Sequence, residues 1–578
     1  MLDLHSFPNL LALFLKQADT YEDRPFLWRK QDGAYRPQSW RQIARTTDAL
    51  IHGLQRIGVQ RGDRVVLVGE NRPEWLMSDL GIIGAGGVAV PAYTTNTTAD
   101  HRHILNSSGA VGVIVSTPAL AKIIMPAAIA SPACRWLVVT DGDAPAADAN
   151  LATHKWSDLA AHEPGGGSPL KAMADILQRT DVAGFIYTSG TGGAPKAVML
   201  SHGSALANCH GARGALHPHD LSNEVFLSFL PPSHAYERTL GQFLPIALGA
   251  QIYYGEGIEH LARNIEESKP TLLACVPRML SAMRQRIERT VERQGGMKAK
   301  LFRETHRIGC ARQDGRLGFV DQLADVAFEK LVRAKFRERF GGRVKAMVCA
   351  GAALDPDDGR FFTAMGVPIL QGYGQTEAGP MISANTPLSC KMHSVGRPID
   401  GVEARIADDG EILVRGEGLM RGYWNDEAST AAAIVDGWLH TGDIGHIDGD
   451  GHLHITDRKK DIIVLSGGDN VSPARIEGVL TQCDEILQAA VFGDDRASGL
   501  TAVVVPDPEF VKTLPDQSEK AVRDTVQKAV DRANRNLALF ERVRNVVLAP
   551  DPFTIDKGLM TPTLKIRRHL VRQLYLDQ

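Results

Sequence analysis

The chain has 578 residues, which is too long for a single hydrophobic core, so we expect at least two domains. With 44% hydrophobic and 23% charged residues, its composition is that of a folded globular protein and excludes intrinsic disorder. Its 67 acidic residues nearly cancel its 64 basic residues, and a net charge of −3 offers no overall field to attract nucleic acid. Seven scattered cysteines without a Cys-x-x-Cys pair, and no long apolar run, indicate a cytoplasmic protein. Peripheral contact with a membrane is left open.

Strand and helix patterns alternate along the first 140 residues. Residues 64–69, 111–116 and 136–140 are short apolar runs that predict buried strands. Residues 73–84 and 118–130 each begin with proline and have the composition of helices. This alternation predicts a mostly parallel sheet with helices on both faces.

The stretch from residue 185 to residue 202 predicts a phosphate-binding loop between two strands. The loop is rich in small and hydroxyl residues, namely Thr188, Ser189, Gly190, Thr191, Gly192 and Gly193, and it is closed by Pro195 and Lys196. Small residues let backbone N–H groups approach an anion, while hydroxyls add donors and the lysine adds charge. A strand rather than a helix follows, unlike the common P-loop. An ordinary polar hairpin turn is the alternative.

Residues 187–197 (Tyr-Thr-Ser-Gly-Thr-Gly-Gly-Ala-Pro-Lys-Ala) resemble the Tyr-Thr-Ser-Gly-Thr-Thr-Gly-x-Pro-Lys-Gly signature of the adenylate-forming enzymes. This superfamily includes acyl-CoA synthetases, adenylation domains of peptide synthetases and beetle luciferases. The resemblance implies that Thr188, Ser189, Gly190, Thr191, Gly193 and Lys196 bind ATP. Gly192 and Ala197 depart from the signature, and the first departure removes one hydroxyl donor for pyrophosphate.

A second motif lies at residues 230–238 (Leu-Pro-Pro-Ser-His-Ala-Tyr-Glu-Arg). It is similar to the Leu-Pro-Leu-x-His-x-x-Glu-Arg motif that lines the acyl site of long-chain acyl-CoA synthetases. The resemblance implies a catalytic-site role for His234. Glu237 and Arg238 either share that role or form a structural ion pair.

Residues 284–343 are predicted to be helical, with arginine and lysine interleaved with glutamate. Such a pattern is typical of a solvated helical surface. The alternative is a surface that faces a membrane leaflet and helps fatty acids to enter. An insertion of this length resembles the long-chain branch of the synthetases more than the short-chain branch.

Small residues follow the predicted strand at 344–349, namely Gly351, Ala352 and Ala353. Ligands of α/β sheets bind at the carboxyl ends of strands, and small side chains there leave room for a flat ring such as adenine. We therefore expect this tripeptide to contribute to the nucleotide site.

Residues 372–377 (Gly-Tyr-Gly-Gln-Thr-Glu) match the Gly-Tyr-Gly-x-Thr-Glu motif of the adenylate-forming family at every fixed position. The match implies that Tyr373 stacks on adenine and that Thr376 bonds the α-phosphate. It also implies that Glu377 offers a hard carboxylate oxygen to Mg²⁺. The alternative is a glycine-rich loop with a capping threonine and a surface glutamate.

Asp443 lies in a Thr-Gly-Asp string like the one whose carboxylate accepts the ribose hydroxyls in this family. The charged run at residues 457–461 is either a solvated connector or, by resemblance, a hinge with Arg458 near the ribose and Lys460 as the pivot. The hinge interpretation divides the chain into an N-terminal domain for ATP and acyl binding, 1–458, and a small mobile α+β lid domain, 459–578.

The C-terminal domain carries two further resemblances. Gly467 and Gly468 resemble the segment through which the family admits the pantetheine arm of CoA. Residues 558–568 (Gly-Leu-Met-Thr-Pro-Thr-Leu-Lys-Ile-Arg-Arg) resemble a Leu-Thr-Pro-Thr-x-Lys-x-x-Arg string that places the adenylation lysine at Lys565. A surface-charged tail is the alternative.

Together the motifs predict an α/β protein whose large N-terminal domain has layered, mostly parallel sheets and a β-rich portion. They predict a long-chain fatty-acid–CoA ligase that uses ATP and Mg²⁺, forms acyl-AMP and transfers the acyl group to CoA. The expected partners are these small molecules, not nucleic acid, and a homodimer is left open. The alternatives are an acyl-AMP ligase that loads a carrier protein, a luciferase-type oxygenase, and a non-catalytic nucleotide- or acyl-binding regulator suggested by Gly192 and Ala197.

Overall fold

The computed structural model describes residues 2–161, 167–188, 194–464, 470–494, 499–561 and 566–577. The chain forms two compact units. The first comprises Met1–Arg405, Leu413–His440 and Ile447–His454, and the second comprises Ile406–Ile412, Thr441–His446 and Ile455–Gln578. The predicted domain boundary between residues 458 and 459 stays a prediction.

The strands up to the second unit are as follows in chain order: β1 Pro25–Gln31, β2 Ala34–Ser39, β3 Arg64–Val68, β4 Val88–Ala92, β5 Gly112–Val115, β6 Trp136–Val139, β7 Ala152–Lys155, β8 Val182–Thr188, β9 Lys196–Ser201, β10 Val225–Ser228, β11 Gln251–Tyr254, β12 Leu272–Cys275, β13 Ala346–Cys349, β14 Ile369–Gly374, β15 Met381–Ala384 and β16 Arg397–Pro398. The remaining strands are β17 Val402–Ile406, β18 Glu411–Gly416, β19 Gly422–Tyr423, β20 Ile434–Val435, β21 Trp438–Ile447, β22 Leu453–Arg458, β23 Ile463–Val464, β24 Asn470–Val471, β25 Ile486–Asp494, β26 Gly499–Pro506 and β27 Val543–Leu548.

The helices are α1 Leu10–Tyr21, α2 Trp40–Arg56, α3 Pro73–Gly84, α4 Thr98–Ser108, α5 Pro118–Ile129, α6 Trp156–Ala160, α7 Pro169–Ile176, α8 His202–Ala215, α9 Ala235–Glu237, α10 Leu244–Leu248, α11 Leu261–Ser268, α12 Pro277–Gln294, α13 Gly296–Gln313, α14 Phe319–Phe328, α15 Ala334–Glu338, α16 Pro356–Ala364, α17 Glu427–Ala433, α18 Pro473–Leu480, α19 Pro508–Val511, α20 Glu519–Ala533 and α21 Arg568–Tyr575. Two π-helical turns, Arg238–Phe243 and Glu329–Arg333, precede α10 and α15.

Eight described strands of the first unit form a sheet in the order β19-β9-β8-β4-β3-β5-β6-β7. Strands β3 to β8 run parallel to their neighbours, and β9 and β19 are added antiparallel at one edge. The predicted alternation of strand and helix over the first 140 residues is confirmed. Because parallel strands need crossover connections, helices α3, α4 and α5 link successive strands.

Nine further described strands form the second sheet, in the order β16-β15-β14-β13-β12-β10-β11-β1-β2. Its centre is parallel, and the strands at its two ends are antiparallel. The neighbours β13 and β14 pair with Cys349 opposite Gln371, so the segments that follow them leave the sheet at the same edge. The sequence-predicted adenine segments lie at the carboxyl ends of these two strands.

A layer of helices, α1, α2, α3, α8 and α10, packs between the two sheets. One continuous apolar cluster joins these helices to side chains of both sheets, such as Leu67 and Ile114 in one and Ile252 and Leu272 in the other. The predicted α/β class with layered, mostly parallel sheets is therefore confirmed. Within the described ranges, no helix is both long enough and apolar enough to cross a bilayer.

The second unit contains a small sheet in which β25 pairs antiparallel with β26, and β26 pairs parallel with β27. Helices α18 and α20 cover one face through a cluster that includes Ile476, Val504 and Val530. Ser472 caps α18 by accepting a hydrogen bond from the Arg475 backbone N–H at 3.3 Å, and Pro473 occupies the first helical position.

Candidate active site

The predicted phosphate loop connects β8 to β9, which pair antiparallel with Thr188 opposite Lys196. The two strands predicted on either side of the loop are thus confirmed. The predicted ATP-binding residues Ser189, Gly190, Thr191 and Gly193 lie outside the described residues. Thr188 and Lys196 mark the two ends of the loop.

Lys196 contacts the segment that follows β19. Its Nζ lies 3.1 Å from Asp426 Oδ2, hydrogen-bonds Ser429 Oγ, and lies 5.3 Å from the centre of the Tyr423 ring. Asp426 caps α17 by accepting from the Ser429 backbone N–H at 3.0 Å. Hydrogen bonds from the side chain and the backbone N–H of Ser429, together with the Lys196 ammonium, lower the pKa of Asp426 to about 2. The carboxylate is therefore charged at neutral pH and holds Lys196 in position.

Tyr423 links Lys196 to Glu377. The Tyr423 hydroxyl donates to Glu377 Oε1 at 3.0 Å, and burial together with this carboxylate raises the pKa of the phenol. The backbone supports the contact, because β19 pairs with β9 and the Met420 N–H donates to the Glu377 carbonyl at 2.8 Å. Tyr423 thereby brings together Lys196, at the start of β9, and Glu377, which follows the end of β14.

The other residues of the predicted Gly-Tyr-Gly-Gln-Thr-Glu motif lie where β14 leaves the second sheet. Half-buried Tyr373 is the penultimate residue of β14, and half-buried Thr376 begins a short 3₁₀ turn that contains Glu377. The register of the pairing with β15 shifts between Tyr373 and Gly374. A Cβ at Gly374 would lie 1.9 Å from the Pro380 carbonyl oxygen, so the second glycine of the motif is required by the close approach of the chain.

Gly351, Ala352 and Ala353 are exposed and follow β13 after one intervening residue, Ala350. Gly351 has φ +92°, a left-handed backbone conformation that favours glycine. Because β13 and β14 are parallel neighbours, this tripeptide and Tyr373 lie at the carboxyl ends of adjacent strands, at the same edge of the sheet. The sequence-predicted adenine segments therefore share one end of the sheet.

His234 begins the short helix α9 and caps it. The Tyr236 backbone N–H donates to His234 Nδ1 at 3.2 Å, and the imidazole is half-buried. Arg238 and Glu237 do not bond each other in the structure. Arg238 pairs with the fully buried Asp79 at 2.7 Å, whereas Glu237 accepts from Ser228 Oγ at 2.6 Å. The ion-pair alternative for this motif is wrong as far as Glu237 is concerned.

An apolar cavity lies between α8, the π-helical turn Arg238–Phe243 and the second sheet. Side chains of α8, the π-helical turn, α10 and the second sheet line it, among them Leu216, Phe226, Leu240, Leu244, Val348 and Met381. The Tyr236 hydroxyl donates to the Val348 carbonyl at 2.8 Å and thereby fixes the turn that begins at His234 against the sheet. A lining of hydrocarbon suits an apolar ligand.

In the second unit, Asp443 and Arg458 form an ion pair. Arg458 Nε lies 2.8 Å from Asp443 Oδ1, and only 8% of the Asp443 side chain is exposed. Thr441 holds the turn, since its Oγ1 accepts from the Asp443 N–H at 3.1 Å and donates to the Ile412 carbonyl at 2.6 Å. The two residues predicted to lie near the ribose are thus in contact.

Lys460 follows β22 at an exposed turn, in which the Asp461 N–H donates to the Arg458 carbonyl at 2.9 Å. The predicted residues Gly467, Gly468 and Lys565 lie outside the described residues. Arg568, three positions after Lys565, forms a two-armed ion pair with Glu477 of α18 at 2.5 and 2.6 Å.

Three residues of the site were missed by the sequence reasoning: Tyr423, Asp426 and Ser429. Their contacts join positions far apart in the chain, since Tyr423 is 46 residues from Glu377 and Ser429 is 233 residues from Lys196. The only local signal was an aspartate placed to cap the helical run at 427–433.

The donor set fits a magnesium ion that is shared with phosphate. Among the residues that the structure describes, His, Cys, Asp and Glu side chains do not gather in groups of three that could hold a metal. Mg²⁺ commonly takes only one or two protein carboxylates and fills its remaining positions with water and substrate phosphates. Glu377 is a hard oxygen donor of that kind.

Comparison with known proteins agrees with the two sheets and the small second unit. The AMP-binding enzyme profile matches residues 14–424, and the AMP-binding enzyme C-terminal domain profile matches residues 460–578. The chain therefore belongs to the AMP-binding enzyme family.

Curated proteins of similar sequence are named as long-chain fatty-acid–CoA ligases or long-chain acyl-CoA synthetases. Long-chain-fatty-acid–CoA ligase FadD15 of Mycobacterium tuberculosis is 33% identical, over 98% of this chain and 96% of its own. The peroxisomal long chain acyl-CoA synthetase 7 of Arabidopsis thaliana is 31% identical, over 98% and 85%. Among solved structures, the anthranilate CoA ligase AuaEII in complex with anthranoyl-AMP superposes with a TM-score of 0.76 at 22% identity, covering 99% of both chains. That last likeness establishes the fold.

Proposed function

We propose that this protein is an ATP-dependent long-chain fatty-acid–CoA ligase. It activates a fatty acid to acyl-AMP with release of pyrophosphate, and then transfers the acyl group to the CoA thiol with release of AMP. The curated relatives named above support this activity, since both align over nearly the whole chain. The observation that carries the proposal is the contact of Lys196, Tyr423 and Glu377.

The first step must bring two anions together, a carboxylate and a triphosphate. It therefore needs positive charge where negative charge develops. We assign Lys196 to the phosphates, together with the loop residues Thr188, Ser189, Gly190, Thr191 and Gly193. Asp426 holds the Lys196 ammonium until a phosphate competes for it.

Glu377 is the residue that would hold Mg²⁺, and the ion would neutralise phosphate charge during the transfer. The Tyr423 hydroxyl orients this carboxylate by its hydrogen bond to Oε1. Thr376 is assigned to the α-phosphate. Tyr373 with Gly351, Ala352 and Ala353 is assigned to adenine, because these residues lie at the carboxyl ends of adjacent strands.

In the second unit, Asp443 is assigned to the ribose hydroxyls, with Arg458 fixing the orientation of its carboxylate. Lys565 is assigned to the acid and α-phosphate during adenylation, Lys460 to the hinge, and Gly467 and Gly468 to the pantetheine arm. These roles rest on the sequence motifs.

The fatty acyl chain is assigned to the apolar cavity between α8, the π-helical turn and the second sheet. Leu240 and Leu244 from the helical wall and Val348 from the sheet offer it hydrocarbon. His234, fixed by the Tyr236 N–H, lies at the start of this wall and is assigned to the carboxylate end of the substrate.

We further propose a cytoplasmic enzyme that acts on fatty acid, ATP and CoA, forms a homodimer and contacts membranes peripherally. All seven cysteines are free thiols, which suits a reducing compartment. The net charge of −3 disfavours nucleic acid as a partner.

The test is AMP release from ATP with acids from acetate to oleate, with and without CoA. A long-chain synthetase forms AMP continuously only when CoA is present, and its rate peaks at long chains. A single turnover that is indifferent to CoA would indicate a carrier-loading ligase. Binding of ATP without AMP formation from any acid would indicate a non-catalytic regulator.

A Tyr423→Phe variant tests the observation that carries the proposal. It keeps the ring beside Lys196 but removes the hydrogen bond to Glu377, so the Mg²⁺ concentration for half-maximal rate should rise about tenfold. Tyr35→Phe is the matched control, because its hydroxyl bonds the Tyr254 carbonyl near the far end of the second sheet. Equal effects of the two variants would contradict the assignment of Glu377.

A further inference from the structure

Helix α14 exposes its apolar side chains. None of its residues is buried. Phe319 is 77% exposed, Val320 76%, Leu323 64% and Val326 65%, and Leu331 in the next π-helical turn is 57% exposed. Positions 319, 323 and 326 lie on one helical face, which would normally pack into a core. We call these five residues the α14 surface.

Ion pairs turn the charged side of the same helix inward. Asp321 pairs with Arg307 of α13 at 2.8 Å, and Asp325 pairs with Arg333 at 2.7 Å. Arg333 is completely buried and also donates to the Ala364 carbonyl at 2.7 Å. One turn further, Glu329 pairs with Arg337 at 2.6 Å. The orientation of α14 is therefore set by these contacts, and the apolar face is outward because the acidic face is held inward.

The surrounding segment is strongly basic. Residues 277–343 contain 17 lysines and arginines against 8 aspartates and glutamates, a net charge of +9 in a chain whose total is −3. Lys330, which adjoins Leu331, is exposed, as are Lys298, Lys300 and Lys335. Exposed apolar side chains among basic ones are the combination that binds the interface of an anionic bilayer.

We propose that the α14 surface docks on anionic lipid membranes, inserting its apolar side chains to the level of the headgroups while the neighbouring lysines contact lipid phosphates. A second copy of this chain fits the surface less well, because it would bring two segments of charge +9 together. A nucleic acid would use the lysines but would leave Phe319, Leu323 and Val326 in water. The proposal rests on the peripheral membrane contact proposed above and names its surface, but it does not depend on the proposed catalytic activity, since docking requires neither ATP nor acid.

The test is sedimentation of the full chain with vesicles, in the absence of substrates. Binding should be about tenfold or more stronger to vesicles containing about one third phosphatidylglycerol than to pure phosphatidylcholine, and added salt should weaken it. The combined Phe319→Ser, Leu323→Ser and Val326→Ser variant should lose at least tenfold in binding. Its thermal stability should be unchanged, because the three side chains are exposed.

A matched control replaces three apolar side chains of similar exposure elsewhere, Leu388, Ile258 and Leu539, by serine. This control should bind vesicles like the unaltered protein. A second variant, Lys330→Glu with Lys335→Glu, should bind more weakly and depend less on salt. Equal binding by the α14 and control variants would overturn the proposal. So would a self-association that only the α14 variant abolishes, since the occupant would then be a second copy.

Discussion

Glu237 is a carboxyl group buried among neutral hydrogen-bond partners, Ser228 and Gln242. Burial raises its pKa from the ordinary value of 4.5 to about 8. Between these values the folded protein keeps a proton that the unfolded chain releases, so the free energy of unfolding falls as pH rises. Glu237→Gln removes this dependence. From pH 5 to pH 8 the stability of the variant should therefore rise relative to that of the unaltered protein, by up to about 1.4 kcal/mol in the free energy of unfolding per pH unit. Melting temperatures measured across this pH range report the difference.

The control for this comparison is Glu338→Gln, an exposed glutamate of α15. Its difference from the unaltered protein should be constant across the same pH range. A constant difference for Glu237→Gln as well would mean that Glu237 is ionised in the folded protein. Above about pH 8 the gain should level off, because both states have then lost the proton.

Arg568 and Glu477 form an ion pair whose side chains are 25% and 15% exposed, and Arg568 also donates to the Val491 carbonyl at 3.2 Å. Lysine cannot form the two-armed contact, so Arg568→Lys should loosen the segment that carries Lys565. We expect adenylation, measured by pyrophosphate exchange into ATP, to fall about tenfold. Transfer of preformed acyl-AMP to CoA should change less than threefold.

Arg572→Lys on the same helix is the control, since Arg572 is more exposed and lies 3.5 Å from Asp577. It should leave both half-reactions unchanged. If Arg568→Lys slowed both half-reactions equally, the ion pair would stabilise the unit without positioning Lys565.

The Gly-Tyr-Gly segment at the end of β14 requires a close approach between two stretches of backbone. In Gly374→Ala the new methyl group would meet the Pro380 carbonyl at 1.9 Å, and the neighbouring backbone must move. We expect a loss of about 2 kcal/mol or more in stability and a large loss of AMP formation, because Glu377 lies on the displaced turn. Thermal unfolding and the AMP assay measure the two effects.

The first glycine of the same motif supplies the control. A Cβ at Gly372 would lie 3.4 Å from the Ser383 carbonyl oxygen, an ordinary contact. Gly372→Ala should therefore cost far less stability than Gly374→Ala. Equal losses would show that the motif needs flexibility at both positions and not one close approach.

Elements with strong local signals could be predicted from the sequence. The helix predicted at 73–84 is α3 without change, because Pro73 starts it, and the strand predicted at 64–69 differs from β3 by one residue. The helix predicted at 118–130 is α5, which ends one residue earlier, at Ile129. The outward face of α14 could not be predicted, since the pair of Asp321 and Arg307 joins different helices.

The candidate site likewise contains residues that the sequence could identify and residues that it could not. Motifs identified Lys196 and Glu377 because their neighbours in sequence form recognisable strings. Tyr423, which joins them, could not be predicted, because β19 reaches both only after the two sheets have packed. Contacts between residues far apart in the chain produce no motif or periodic pattern in the sequence.

The hinge at Lys460 is the prediction that concerns the whole chain. If the second half-reaction requires the C-terminal domain to turn about this residue, fixing its φ angle should separate the two half-reactions. In Lys460→Pro we expect one half-reaction to fall at least tenfold while the other stays within about threefold. Lys460→Ala removes the side chain but leaves the backbone free, so it should change neither by more than about threefold. Unaltered rates in the proline variant would mean that the hinge lies at another residue. Equal losses in the rates of both half-reactions, with a lower melting temperature, would indicate simple destabilisation.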